Sequence, residues 1–207
     1  MNVYERTDRA VKAINRYNLE RFGRLKMAKF DELNVIREVT ATYQDSMQMV
    51  RKKLRKAAEE DFIFFLMLCR WDELEATQKA KETQWAAWVD ELMQQVDPAT
   101  RYRFDLEEER KQARLIESLA IPLGQQAEVD KGLRLWTKQI AQFAIYVTDS
   151  AAKEAFEAAG VDEAMWNTEQ DDRVCEECDE REGNIYKIGQ IPDKPHRGCR
   201  CWLTPVI

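Results

Sequence analysis

The last 33 residues of this 207-residue chain hold four of its five cysteines and its only histidine. Cys175-x2-Cys178 is followed, 17 residues later, by His196-x2-Cys199-x-Cys201. Two soft ligands on one tight turn can share an ion without straining the backbone. Two such turns supply the four ligands that Zn²⁺ prefers. Gly198, inside the second turn, lets the backbone close on the ion. Cys175 and Cys178 form the first pair. His196 and Cys199 repeat the same spacing and form the second, and Cys201 is able to replace either of them. If residues 199–203 are a strand, Cys199 and Cys201 point the same way along it, which keeps an all-cysteine site open. Four of the five residues Cys175, Cys178, His196, Cys199 and Cys201 are therefore expected to hold a structural Zn²⁺.

The competing readings are a disulfide or free thiols. No secretory signal pattern opens the sequence, so synthesis in a reducing cytosol is expected, and cysteines at this spacing then favour a metal. Catalysis is not expected. There is no His-Glu-x2-His pattern. A nuclease built on such a scaffold would need its single histidine to be both ligand and general base. A Cys/His nucleophile pair lacks any local signature.

Ahead of this cluster the chain reads as helix. Apolar residues make up 44% and charged residues 34%, and four of the five prolines lie at or after residue 122. The N-terminal half is thus nearly free of helix breakers. Residues 3–28 carry Val11, Ile14, Asn18, Phe22 and Leu25 at spacings of three and four, with Gly23 a weak point near the end. Asp31 is placed to cap a second, long helix. In it Ile36, Tyr43, Val50, Ala57 and Phe64 lie seven apart, with Met47 and Leu54 between them, a coiled-coil-like stripe that Asp61 interrupts. Residues 62–68 are apolar around the whole helix. They are expected either to be covered by other helices or to form a partner surface. Cys69 continues the run as a small hydrophobe.

A third helix is expected over residues 73–96, stopped by Asp97-Pro98, with Asp97 capping a charged helix over 101–119 that carries Leu106, Ala113, Ile116 and Leu119. Residues 121–124 break the chain again. A further helix from about 126 to 150 places Val129, Leu133, Trp136, Ile140, Phe143 and Val147 on one face. No apolar run is long enough for a membrane span. The fold expected is mainly α: long helices, partly coiled-coil-like, followed by a small zinc-stabilised β-hairpin module at the C-terminus.

Charge is divided unevenly. Residues 1–60 carry a net +5 and the remainder a net −11. Residues 51–56 form a basic cluster that could touch nucleic acid, although Glu59, Glu60 and Asp61 follow one turn later and suit a solvated helix face. The first knuckle is crowded by Glu169, Asp171, Asp172, Glu176, Glu177, Asp179, Glu180 and Glu182. A phosphate backbone would be repelled there, so any packaged DNA would be touched by the basic N-terminal helices.

The residues around the ligands carry a family likeness. Asp171, Arg173, Cys175 and Cys178, then Gly183, then Pro192 and Pro195, then His196, Cys199, Arg200 and Cys201, then Thr204, Pro205 and Val206 occur in order. This stretch resembles the C-terminal module of bacteriophage head-morphogenesis proteins, the Mu F-like minor head (minor capsid) proteins of tailed phages. Arg197 stands where that family usually has proline. Residues 151–161 resemble the family's lead-in helix with its Ala-Ala-Gly-Val stop, after which Trp166 starts a strand. The likeness covers residues 140–207, while residues 1–139 match no motif, and it sets a division of the chain at that point. It implies a structural, non-enzymatic role in head assembly, near the portal or in the head interior. The implied partners are the portal and other head proteins, and the implied location is the virion after synthesis in the host cytoplasm. The alternative is a zinc-ribbon DNA-binding or DNA-packaging accessory protein.

Overall fold

The computed structural model describes residues 3–28, 30–97, 102–120, 125–169, 174–196 and 198–207. Three long helices make the body. Helix α1 (Glu5–Met27) runs through Gly23 without a break and buries Ala10, Ile14, Asn18, Phe22 and Leu25. Helix α2 (Glu32–Leu68) has 37 residues and starts where Asp31 accepts the Asn34 N–H at 2.8 Å, a side-chain cap for an otherwise orphaned donor. Its buried stripe begins at Val35 and Val39 and continues through Tyr43, Met47, Val50, Leu54 and Ala57. Ile36, expected at the head of the stripe, is 56% exposed.

Helix α2 ends in a Schellman turn. The Trp71 N–H bonds the Leu66 carbonyl at 3.2 Å and the Arg70 N–H bonds the Met67 carbonyl at 3.1 Å. Arg70 takes the left-handed conformation that glycine usually supplies (φ 67°). Beyond it, the single helix expected over 73–96 is two: α3 (Glu73–Ala80), capped by Asp72, and α4 (Trp85–Gln94). The break has a packing cause. Trp85 is 5% exposed, donates its indole N–H to the Ala80 carbonyl at 2.8 Å, and meets the Phe62 ring at 5.2 Å. Strand β1 (Val96–Asp97) then pairs antiparallel with β2 (Tyr102–Arg103), so Asp97 lies in a ladder rather than at a helix cap. Pro98 and the break expected at 121–124 lie outside the described residues.

Helix α5 (Phe104–Leu119) buries Phe104, Lys111, Leu115 and Leu119, and Ala113 faces solvent. The Phe104 ring stacks on Phe143 at 4.4 Å and on Trp136 at 5.3 Å. Helix α6 (Gln125–Ala158) buries all six residues expected on its face. It runs unbroken through residue 140, so the division expected there falls inside a helix. It ends as the Ala-Ala-Gly-Val pattern implies: Gly160 has φ 67°, and the Val161 N–H bonds the Phe156 carbonyl at 2.9 Å.

The apolar run at 62–68 is core. Phe62, Phe65 and Leu66 are at most 2% exposed, Phe65 meets Phe156 at 5.7 Å, and the Arg6 guanidinium covers the Phe64 ring at 4.0 Å. Only Met67 faces out. The exposed patch that a partner surface would have required is therefore not there, because α1, α4 and α6 cover the run. Asp61, which breaks the apolar stripe, is fully buried. Arg6 pairs with it, and the hydroxyls of Thr7 and Thr148 donate to it at 2.9 and 2.8 Å. Burial pushes its carboxyl above the usual range, against the opposing effects of Arg6 and the two hydroxyls.

The C-terminal module is a three-stranded antiparallel sheet rather than a lone hairpin. Strand β3 (Glu163–Asn167) is central, flanked by β4 (Ile185–Lys187) and β5 (Trp202–Pro205). Trp166 is the fourth residue of β3, not its start; it pairs with Leu203 and is buried with Ala164. A short helix, α7 (Glu176–Asp179), and a 3₁₀ turn at Ile188–Gln190 complete the module. Among the described residues no helix is long and apolar enough to cross a membrane.

Candidate metal centre

Cys175 caps α7 and Cys178 sits within it, so one helical turn brings the two thiols to the same side. Gly183 (φ 74°) then turns the chain, donating its N–H to the Trp166 carbonyl at 2.9 Å and so tying the turn to β3. Gly198 also has a positive φ, 74°, as the need for a tight second turn demands. The Cys199 N–H bonds back to the His196 carbonyl at 3.3 Å. Cys199 and Cys201 lie just before β5 rather than within a strand, and both are buried.

The fold brings all five sequence-flagged side chains together in two groups of three that share Cys178. The ligand atoms of Cys175, Cys178 and His196 lie within 4.8 Å of one another, and so do those of Cys178, Cys199 and Cys201. Cys178 Sγ is 3.6 Å from Cys199 Sγ and 3.7 Å from His196 Nε2. A tetrahedral ion with bonds of about 2.0–2.3 Å separates its ligands by about 3.3–3.8 Å. The spacing therefore fits a shared ion, and the cluster can hold one. A cavity of about 30 Å³ bounded by Cys175, Cys178, His196 and Cys201 adjoins it. Cys178, Cys199 and Cys201 are at most 4% exposed, whereas Cys175 is half-buried and His196 is exposed.

The thiols hydrogen-bond to one another. The Cys201 thiol, donating to Cys199, draws the Cys199 thiol down, with Lys194 helping, and is itself pushed up by that partnership and by burial. Burial and the Cys175 neighbour push Cys178 up to about 12. Burial works against ionisation of Cys175, but hydrogen bonds from Cys178 and the His196 charge bring it down overall. Such a cluster exchanges protons for a divalent ion.

Cys69 is separate from these groups. It is half-buried, and burial raises its thiol to about 11. Asp171, Asp172, Arg173 and Arg197 lie outside the described residues. Of the acidic shell, Glu177 pairs with Arg181, whose guanidinium lies 5.2 Å from the Trp166 ring. The basic stretch 51–56 is a solvated helix face: Arg51 pairs with Asp90 at 2.7 Å and Lys56 with Glu60 at 3.6 Å, while Leu54 turns inward.

Three residues that bear on this centre carry no signal in the sequence. Tyr4, Asp149 and Lys194 meet beside the ligand loop, although Tyr4 lies 190 residues from Lys194. Comparison with protein-family models, curated proteins and solved structures found no match to this chain.

Proposed function

We propose that this chain is a structural minor head protein of a tailed bacteriophage, acting in head assembly near the portal or in the head interior and without catalytic activity. The observation that supports this best is the gathering of five metal-binding side chains into two groups that share Cys178, beside a small sheet, with three of the five buried. A surplus of ligands with no open position suits an ion that holds a fold together, not one that works on a substrate. In this reading the ion is Zn²⁺. What carries the reading from a metal-clamped module to phage heads is the ordered likeness over residues 140–207. The helical body then offers its surface to the portal and other head proteins. The acidic knuckle keeps the module off packaged DNA.

The test has two parts. Elemental analysis of the purified chain should give about one Zn²⁺ per chain, the stoichiometry of one four-ligand site. Co-expression with the portal and head genes of its own phage should carry the chain into sedimenting head particles. A chain that binds zinc yet never sediments with heads, and instead binds duplex DNA with strong salt dependence, would replace this reading with the DNA-packaging accessory.

A further inference from the structure

Lys194 is 12% exposed, and its three ammonium protons have three acceptors: Asp149 Oδ2 at 2.7 Å, the Tyr4 hydroxyl at 2.7 Å and the Cys199 carbonyl at 3.3 Å. An ammonium has three donors, so this one is saturated. The Tyr4 phenol, 6% exposed, has one proton and two acceptors within reach, the Cys201 carbonyl at 2.6 Å and Asp149 Oδ1 at 2.9 Å. The carbonyls of two metal-ligand candidates are therefore held by side chains that are not ligands. One of those side chains, Tyr4, comes from the residue that precedes α1.

The contacts continue into the helical body. Asp149 follows Thr148 on α6, and the Thr148 hydroxyl donates to buried Asp61 at 2.8 Å. Asp61 also binds Arg6 and Thr7 in the first turn of α1, three residues or fewer from Tyr4. The chain of contacts closes on itself: ligand loop, Tyr4, α1, Asp61, α6, Asp149, Lys194, ligand loop. Breaking a link would leave a buried charge or carbonyl without its partner.

We propose that Tyr4, Asp149 and Lys194 are positioning residues for the metal centre, and that through them ion binding and the seating of the first turn of α1 are energetically coupled. The proposal rests on the reading of the cysteine cluster as a metal site. Its physical basis is that Cys199 and Cys201 lie on a segment with no regular structure. Their carbonyl anchors fix the course of the backbone and hence the direction of each sulfur. Outer-shell partners of this kind commonly change metal affinity by about 10- to 100-fold. Coupling is reciprocal, so an ion that stabilises the loop must also stabilise what the loop holds.

The experiment uses the full chain, Tyr4→Phe, Lys194→Met and, as a control in the same module but outside the circuit, Tyr186→Phe. Zn²⁺ affinity is read by competition with a chromophoric chelator, and hydrogen exchange is followed at residues 5–9 with and without the ion. Tyr4→Phe keeps the ring and removes only the hydroxyl. It is expected to weaken Zn²⁺ binding about 10-fold with unchanged helical content, and Tyr186→Phe to leave binding as in the native chain. Stripping the ion from the native chain is expected to speed exchange at residues 5–9, and to do so far less in Tyr4→Phe, where the link is already cut. Should Tyr4→Phe fail to fold, Lys194→Met carries the same expectation. Native affinity in the folded variants, or exchange at residues 5–9 that ignores the ion, overturns the coupling alone. A native chain that takes up no Zn²⁺ overturns the metal reading and the coupling with it.

Discussion

The helical body and the C-terminal module bury their interiors by different means. In the body, α1, α2, α5 and α6 interdigitate large apolar side chains. Trp136, fully buried, meets Tyr43 and Phe104 at 5.3 Å and donates its indole N–H to Ser46 at 2.7 Å. In the module, the buried hydrophobic residues among those described are Val161, Ala164, Trp166 and Leu203, together with Cys178, Cys199 and Cys201. Nearly half of that small interior is thiol. These residues join the body's core in one continuous cluster, but the module's own apolar share is small, the setting in which small modules add a metal or disulfides. If the cluster holds the Zn²⁺ proposed above, the body should fold on hydrophobic burial and the module only with that ion.

Cys178→Ser should separate the two most sharply. Cys178 belongs to both candidate ligand groups, so under the zinc reading its loss should abolish stoichiometric zinc and expose the module to proteolysis and hydrogen exchange, while far-ultraviolet circular dichroism retains the helices. Loss of the helical signal in step with the metal would mean that the two regions are one cooperative unit. The reciprocal change is Trp136→Ala, which should cost about 3–5 kcal/mol in denaturant unfolding. Zinc content should stay near that of the native chain wherever the body remains folded.

A smaller effect concerns Glu108, half-buried on α5. Burial pushes it up to about 7, with Glu109 and Asp105 adding to the rise and Arg51 opposing it. A folded-state value above the ordinary 4.5 means that the neutral form favours folding. That contribution is complete below pH 4.5 and is lost as pH rises through 7. Glu108→Gln should therefore stabilise the body at pH 8, by about 1 kcal/mol once solvent screening of a half-exposed group is allowed for. The gain should vanish near pH 4.5. A gain of equal size at both pH values would show that the charge is irrelevant.

The smallest effect compares two helix ends of the same type. The turn after α2 places Arg70 in the left-handed region, and the turn after α6 places Gly160 there. A Cβ costs about 1 kcal/mol or somewhat more in that conformation. Arg70→Gly should stabilise the body by roughly 0.5–1 kcal/mol, and Gly160→Ala should destabilise the junction by a similar amount. A Cβ at Gly160 meets nothing within 4 Å, so the change isolates backbone strain. Equal and negligible effects at both sites would show that neither turn limits stability.

Much of this molecule was legible in its residues wherever the deciding interaction is local. The Asp31 cap depends on a donor three residues away, and the six-residue face of α6 follows from helical period. The Ala-Ala-Gly-Val stop, the positive φ at Gly198 and the pairing of Cys175 with Cys178 each lie within one turn of chain. Such features are set by geometry that a short window contains. The remainder depended on contacts between distant segments, whose packing no window contains. The body's tertiary structure turned residues 62–68 into core by laying α1, α4 and α6 over them. It split residues 73–96 so that Trp85 could turn onto Phe62, and it made Asp61 an anchor rather than an interruption by presenting Arg6, Thr7 and Thr148 to it. It also placed β3 between β4 and β5, where strands far apart in sequence could pair. Tyr4 met Lys194 for the same reason: its hydroxyl is buried where the folded chain brings it partners from a segment 190 residues away.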